Sequence, residues 1–348
     1  MRRPWLFPLN PLYGIVTSLR NLLFDKGVLK STRFEVPTLV IGNLNTGGSG
    51  KTPHTEYFLR QFKDQQSAVI SRGYGRKSKG FHWVEAAMNA DQTGDEPLQI
   101  KNKFRDTTVV VCEDRVVAVP ELLASYPDTS LILFDDAFQH RYLKPTVSVL
   151  LSVYDDFFAD DALLPAGNLR ESKNGAQRAN ALIVTKCPNS LSTELRESII
   201  QRAKPFFSGP IFFSRFEAME PVVIHANNTE QNLSESNVFV FSAIAHGSAW
   251  ANNFLPRFKK KVGELCYPDH HRFTRHDIAL LIKKWEAAGK PWVITTEKDW
   301  MRLKSFAKEL EHLPLIYYPI EVKIDQGAEE LNALLRQKLF GQNKIRVV

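Results

Sequence analysis

The stretch LVIGNLNTGGSGKTPHTEYF, Leu39 to Phe58, constrains the fold more than any other part of the chain. An apolar run enters a glycine-rich turn, and the turn opens into a helical pattern from Thr55 to Phe62. Strand, loop and helix in that order are how an α/β sheet binds phosphate. The turn aims successive backbone N–H groups inward, and the helix N-terminus adds partial positive charge. The strict pattern G-x-x-x-x-G-K-[ST] requires a glycine five residues before Gly50, where this chain has Asn45. Gly47, Gly48 and Gly50, with Thr46 and Ser49 among them, still supply a tight turn. Lys51 then stands where a lysine reaches the β- and γ-phosphates of a nucleotide, and Thr52 where a hydroxyl ligates Mg²⁺. An ordinary strand-to-helix turn ending in Gly-Lys has the same local sequence, so a second signal has to decide.

That signal is SLILFDDAFQH, Ser130 to His140. Four apolar residues run into Asp135 and Asp136, the form in which a carboxylate at a strand's C-terminal end holds Mg²⁺ directly or through water. Asp-Asp after a strand is common in turns, but together with the glycine loop it points to a nucleotide site. Further β-rich runs, Ala68 to Ile70, Thr108 to Cys112, Val147 to Val153 and Ala181 to Thr185, alternate with helical patterns. They predict an α/β fold with a mainly parallel sheet of the P-loop NTPase kind over 36–210. The pattern breaks near Pro210, and 211–237, with the polar HANNTEQNLSESN, reads as a connector. Val238 to Ser242, Trp292 to Thr295 and Leu315 to Tyr318 predict a second, smaller α/β domain over 238–348 that closes over the active site.

Residues 1–35 form a third unit. Asn10 as N-cap and Pro11 at the first helical position predict a helix with Leu12, Ile15, Val16, Leu19, Leu22 and Leu23 on one face. Such a helix either packs on the core or lies on an anionic membrane, flanked by Arg2, Arg3, Lys26, Lys30 and Arg33. Pro8, Asn10, Pro11 and Arg20 interrupt any signal-peptide core, and no apolar run reaches the roughly 18 residues that span a bilayer. A formal net charge of +7 suits an anionic partner without choosing among nucleotide, acidic lipid and nucleic acid. Cys112, Cys187 and Cys266 fit no zinc or redox spacing, as expected of a reducing compartment.

Several loops carry chemistry of their own. SRGYGRKSKGF, Ser71 to Phe81, gathers Arg72, Arg76, Lys77 and Lys79 around glycines beside Tyr74. It is either a solvated loop or a cradle for an anionic acceptor at a strand's C-terminal end. In TGDEPLQI, Asp95 and Glu96 precede Pro97, where they can cap a helix or take the proton of an acceptor hydroxyl. YPDHHRFT brings Asp269, His270 and His271 together; neither ITTEKDWMRL nor VTKCPN gives N-K-x-D, so guanine specificity has no support.

Jointly, GNLNTGGSGKTP, SRGYGRKSKG, GDEPLQI, FDDAFQHR, LLPAGNLRES, YPDHHRFT and TTEKDWMRL resemble one family, the tetraacyldisaccharide 4′-kinases of lipid A biosynthesis. The segments run in order from Gly42 to Leu303, and the family's loop has the same shifted glycines. The resemblance implies transfer of the γ-phosphoryl group of ATP, with Mg²⁺, to the 4′-hydroxyl of a tetraacylated glucosamine disaccharide 1-phosphate. It further implies a peripheral enzyme on the cytoplasmic face of an inner membrane, with that anionic surface and the lipid A precursor as partners and no nucleic acid. Carried onto this chain, Lys51 holds phosphates, Thr52 with Asp135 and Asp136 organises Mg²⁺, and Asp95 is the base, paired with His270. Glu96, Gln139 and His140 fall on family positions near metal, phosphates or acceptor, and Arg72, Tyr74 and Arg76 on the acceptor side. The chain departs where AIAHGSAW replaces a GIANP-like turn. A P-loop GTPase or ATPase switch, or a metal chaperone, is the alternative; lack of N-K-x-D and of a Cys/His cluster argues against it.

Overall fold

The computed structural model describes residues 4–225, 232–245, 247–269 and 271–341. Strands β1 (Thr38–Asn43), β2 (Ser67–Ser71), β3 (His82–Trp83), β4 (Thr108–Val111), β5 (Leu131–Asp135), β6 (Val147–Val153), β7 (Ala181–Thr185) and β8 (Ile211–Ala218) lie in one sheet, in the order β8-β7-β6-β1-β5-β2-β4-β3. From β8 to β4 they run parallel, and β3 closes one edge antiparallel. Strands β9 (Val222–His225), β10 (Asn237–Ser242), β11 (Lys260–Cys266), β12 (Trp292–Thr296) and β13 (Leu315–Tyr318) form a second sheet, ordered β11-β10-β12-β13-β9. The chain then returns: β14 (Ile320–Ile324) pairs antiparallel with β8 and completes nine strands in the first sheet.

Near-continuous apolar strands are what a parallel sheet covered on both faces requires. In β1, Leu39 and Ile41 bury toward helices Lys51–Gln61, Asp95–Lys103 and Ala328–Phe340, which contribute Phe58, Leu98 and Leu335. Val40 buries on the other face, with Leu122 and Ile199 from helices Arg115–Ser125 and Thr193–Ala203.

The sheets divide the chain differently from the expected boundaries. The 211–237 stretch contributes β8 to the first sheet and β9 to the second, and the end of 238–348 returns through β14 and helix Ala328–Phe340. Of these, β8 is an inner strand whose sequence is too polar to read as one, and its polar residues are partnered. Ser214 is fully buried against His54, and Arg215 pairs with Asp325 and Glu217. The link between the sheets is a paired crossing: Ala218 at the exit and Ile320 at the return are register partners, and the Met219 N–H donates to the Pro319 carbonyl at 2.9 Å.

The N-terminal helix runs Asn10–Asp25. Asn10 is not its cap. Its buried side chain accepts instead from the Ala166 N–H at 3.1 Å, and Leu9 occupies the cap position. The polar side faces the protein: the Tyr13 hydroxyl donates to the Arg170 carbonyl (2.9 Å), Asn21 to Glu171 (2.8 Å), and Arg20 to the Gln139 carbonyl (3.1 Å). Leu12, Ile15, Val16, Leu19 and Leu22 point outward at 49–66% exposure, and Leu23 is half-buried. The apolar stripe is therefore not packed on the core. No described helix is long and apolar enough to cross a membrane.

Candidate active site

At the C-terminal edge of the first sheet, β1 lies between β5 and β6, with Ile41 in register with Asp135. The loop leaving β1 is anchored before its glycines begin. Asn45, at the position of the absent glycine, is buried and donates to Asp161 at 2.9 Å, and the Thr46 N–H donates to the Asn168 carbonyl at 2.7 Å. Gly50 adopts φ +83°, and a Cβ there would stand 2.5 Å from Phe216, so this position does require glycine. Its carbonyl accepts from His54 Nδ1 at 2.8 Å. Complete burial holds the His54 pKa down to about 4, leaving the ring neutral. With Nδ1 donating, Nε2 accepts from the Ser214 hydroxyl at 3.0 Å. Strand β8 thus helps to fix the phosphate loop.

The two aspartates after β5 diverge. Asp135 is fully buried; one oxygen accepts from Thr55 (3.3 Å) and the other has no hydrogen-bond partner among the described residues. Burial raises its pKa first, then the charges of Glu96 and Asp136, against the pull of Lys51. Asp136 turns at φ +53° toward Arg170 (3.1 Å) and Lys51 (3.7 Å). Burial would raise its pKa, but those two cations outweigh it and hold it below the usual value. Ser49 Oγ and Asn43 Nδ2 are also buried without hydrogen-bond partners among the described residues. Orphaned polar atoms around a glycine loop, with hydroxyl and carboxylate oxygens beside them, suit a nucleotide phosphate and Mg²⁺.

Asp95 and Glu96 open helix Asp95–Lys103, entered through Gly94 at φ +89°. Asp95 is buried, with one oxygen accepting from the Glu96 N–H (3.0 Å) and the other from Arg302 Nε (2.8 Å). Lys298 lies 3.2 Å from Glu96 and 3.9 Å from Asp95. Burial depresses the Lys298 pKa, but Glu96, Asp95 and Asp269 outweigh it and raise it. Both cations come from helix Glu297–Leu303, which follows β12. Deeper in, Lys103 sits 2.7 Å from Glu56 on the phosphate-loop helix and 2.8 Å from Glu297, and Gln99 donates to Glu56 at 2.8 Å. Helix Glu297–Leu303 also buries Met301 in the first sheet's core and Leu303 in the second's.

His270 lies outside the described residues. His271 is committed elsewhere, 3.1 Å from Asp277 and stacked on Tyr267. Asp269 acts on Lys186 as well as Lys298: burial lowers the Lys186 pKa, Asp269 raises it and Lys51 lowers it further.

Of the residues expected to face the acceptor, Arg72 and Tyr74 are exposed. Arg76 instead braces its own loop, donating to Glu113 (2.7 Å) and to the Gly80 carbonyl (2.6 Å). Gln139 donates to the Asn43 carbonyl at 2.8 Å and accepts from Arg170 at 3.2 Å. His140 is kept neutral, its pKa lowered to about 4 by burial and then by Arg115, with Arg20 and Arg72 acting the same way. Arg115 and Arg170 escaped the sequence reading. Their only local signals are Arg115 just beyond β4, after Glu113 and Asp114, and Arg170 within the quoted LLPAGNLRES.

A family model described as tetraacyldisaccharide-1-P 4′-kinase matches residues 2–339. A tetraacyldisaccharide 4′-kinase of Flavobacterium johnsoniae is 42% identical over 317 residues, 90% of this chain and 92% of the relative. One of Bacteroides thetaiotaomicron is 38% identical over 343 residues, covering 94% and 90%. The crystal structure of LpxK from Aquifex aeolicus in complex with ATP superposes with a TM-score of 0.74 at 27% identity, over 96% of this chain and 98% of that one.

Proposed function

The chain belongs to the tetraacyldisaccharide-1-P 4′-kinase family, and from that premise we propose how its site divides the work of phosphoryl transfer. The reaction moves the γ-phosphoryl group of ATP, with Mg²⁺, to the 4′-hydroxyl of tetraacyldisaccharide 1-phosphate in lipid A biosynthesis. The backbone from Thr46 to Thr52 and the Lys51 ammonium hold the phosphates. Thr52, Glu96, Asp135 and Asp136 would hold Mg²⁺, Asp136 also orienting Lys51 and Arg170. There Mg²⁺ would offset the charge that develops on transfer. Asp95 takes the proton of the 4′-hydroxyl at a carboxylate oxygen, with His270 as its partner. Arg72, Tyr74, Gln139 and His140, joined by Arg115 and Arg170, face the anionic acceptor. The outward apolar stripe of helix Asn10–Asp25 rests on the anionic, cytoplasmic face of the inner membrane, which supplies the lipid in two dimensions.

The observation that carries this reading is the convergence of three elements at one sheet edge. The glycine loop, the end of β5 and the start of helix Asp95–Lys103 are close enough that the charge of Glu96 acts on Asp135. Incubating the purified protein with γ-labelled ATP and detergent-dispersed acceptor tests it. A labelled lipid is expected; label released only as free phosphate, at a rate indifferent to acceptor, would favour a nucleotide switch instead.

A further inference from the structure

The carboxylate assigned above as the base does not belong to the first sheet alone. Its oxygen Oδ2 accepts from Arg302 Nε at 2.8 Å, and Arg302 comes from the second sheet's helix Glu297–Leu303. That guanidinium is itself fixed. It is 8% exposed, and its Nη1 donates to the backbone carbonyls of Ala243 (3.1 Å) and His271 (3.3 Å), with Asp299 3.3 Å away. Asp299 is fully buried and locked in turn by the Ala243 N–H and the Thr296 hydroxyl. We propose that Arg302 is a positioning residue for the reaction, holding the Asp95 carboxylate aimed so that the base is aligned only while the second sheet's helix sits against the first.

Chemistry favours positioning over obstruction. An ionised carboxylate accepts at about four sites, so one bond from Nε and one from the Glu96 N–H orient the group without exhausting it. The planar fork of arginine suits this better than a mobile ammonium. Lys298 lies farther from Asp95, at 3.9 Å, and closer to Glu96, so it cannot replace the bond that Arg302 makes. Among the described residues, Arg302 and Lys298 face Asp95 from one helix and Glu96 from its own, with Asp269 acting on Lys298.

The proposal rests on Asp95 being the base, and the test separates the two. Single-turnover rates with detergent-dispersed acceptor are measured for wild type, Asp95→Asn, Arg302→Gln and Arg302→Lys, with ATP affinity measured alongside. Arg302→Gln is expected to lose about 10- to 100-fold in rate, with ATP affinity within about twofold. Arg302→Lys, which keeps the charge without the fork, should fall between them and serves as the readout if the glutamine variant melts. A rate equal to wild type in both Arg302 variants, with Asp95→Asn inactive, leaves the base standing and overturns only the positioning role. Faster turnover in Arg302→Gln overturns it in favour of obstruction, and full activity in Asp95→Asn removes the base and this inference together.

Discussion

The proposed phosphate side of the site is built within one sheet, and the proposed base side between two. Gly50, His54 and Ser214 form one chain of hydrogen bonds, and Lys51, Asp136 and Arg170 one cluster of charge, all on elements of the first sheet. Asp95, Glu96 and Lys103 instead meet their partners on helix Glu297–Leu303 of the other sheet. The first arrangement is preorganised by a continuous parallel sheet. The second exists only as far as the two sheets stay together, so nucleotide affinity and turnover should respond to different perturbations.

The largest expected effect is at the base. Asp95→Ala should lower turnover by about 10²- to 10⁴-fold, the usual size of general-base catalysis, with ATP affinity little changed. Equal losses in both would mean that Asp95 also serves the phosphate side. Next is Lys103→Met, which leaves the buried Glu56 and Glu297 without their shared cation. Breaking a buried pair in this way costs about 3–5 kcal/mol of stability, readable by urea unfolding. Turnover should suffer more than ATP affinity, and the reverse order would show that Glu56 transmits the damage to the phosphate loop.

Helix Asn10–Asp25 touches Arg170, Gln139 and Glu171 but none of the base-side groups among the described residues, which allows a cleaner separation. Burying five aliphatic side chains halfway in lipid is worth about 4–8 kcal/mol, against about 1 kcal/mol for each nearby cation. Apolar insertion should therefore survive high salt. Ile15→Glu with Leu19→Glu should move the protein to the soluble fraction and leave both halves of the site working on dispersed acceptor. Release of wild type by salt alone would contradict the insertion.

The smallest effect is on pH dependence. Burial, then the neighbouring Glu56, raises Glu297 from 4.5 to about 7. The folded state therefore binds this proton more tightly than the unfolded one. Stability from it is full below 4.5 and lost as pH rises through 7. Glu297→Gln removes that loss, so melting should rise by about 2 °C at pH 8 and change little at pH 4. A gain of equal size at both values would point to packing and not to charge.

Local signals made the cluster around the glycine loop legible in the sequence. A glycine that needs positive φ, a lysine beside it and a carboxylate ending an apolar run are each visible within a few residues. Asn45 misled only the strict pattern, because its side chain anchors the loop that a first glycine would otherwise let turn. The base side was half legible. Asp95 stands out before a helix, but its tie to Arg302 spans 207 positions, and nothing local to either residue announces it. Strands β8 and β14 were obscured because Ser214, Arg215 and Asp325 are polar residues satisfied by distant partners.

The paired crossing at Ala218 and Ile320 has a consequence for synthesis. As the chain leaves the ribosome, β1 to β8 are all made before β14, and everything between them belongs to the second sheet or its connections. Until Ile320–Ile324 emerges, β8 is a bare edge carrying unpaired N–H and carbonyl groups beside Phe212 and Phe216, and the face that Leu331, Leu335 and Leu339 will cover stays open. A nascent kinase domain in that state is a template for pairing with another chain. Chains ended before residue 320 and released from the ribosome should therefore depend on chaperones more heavily than the released full-length chain.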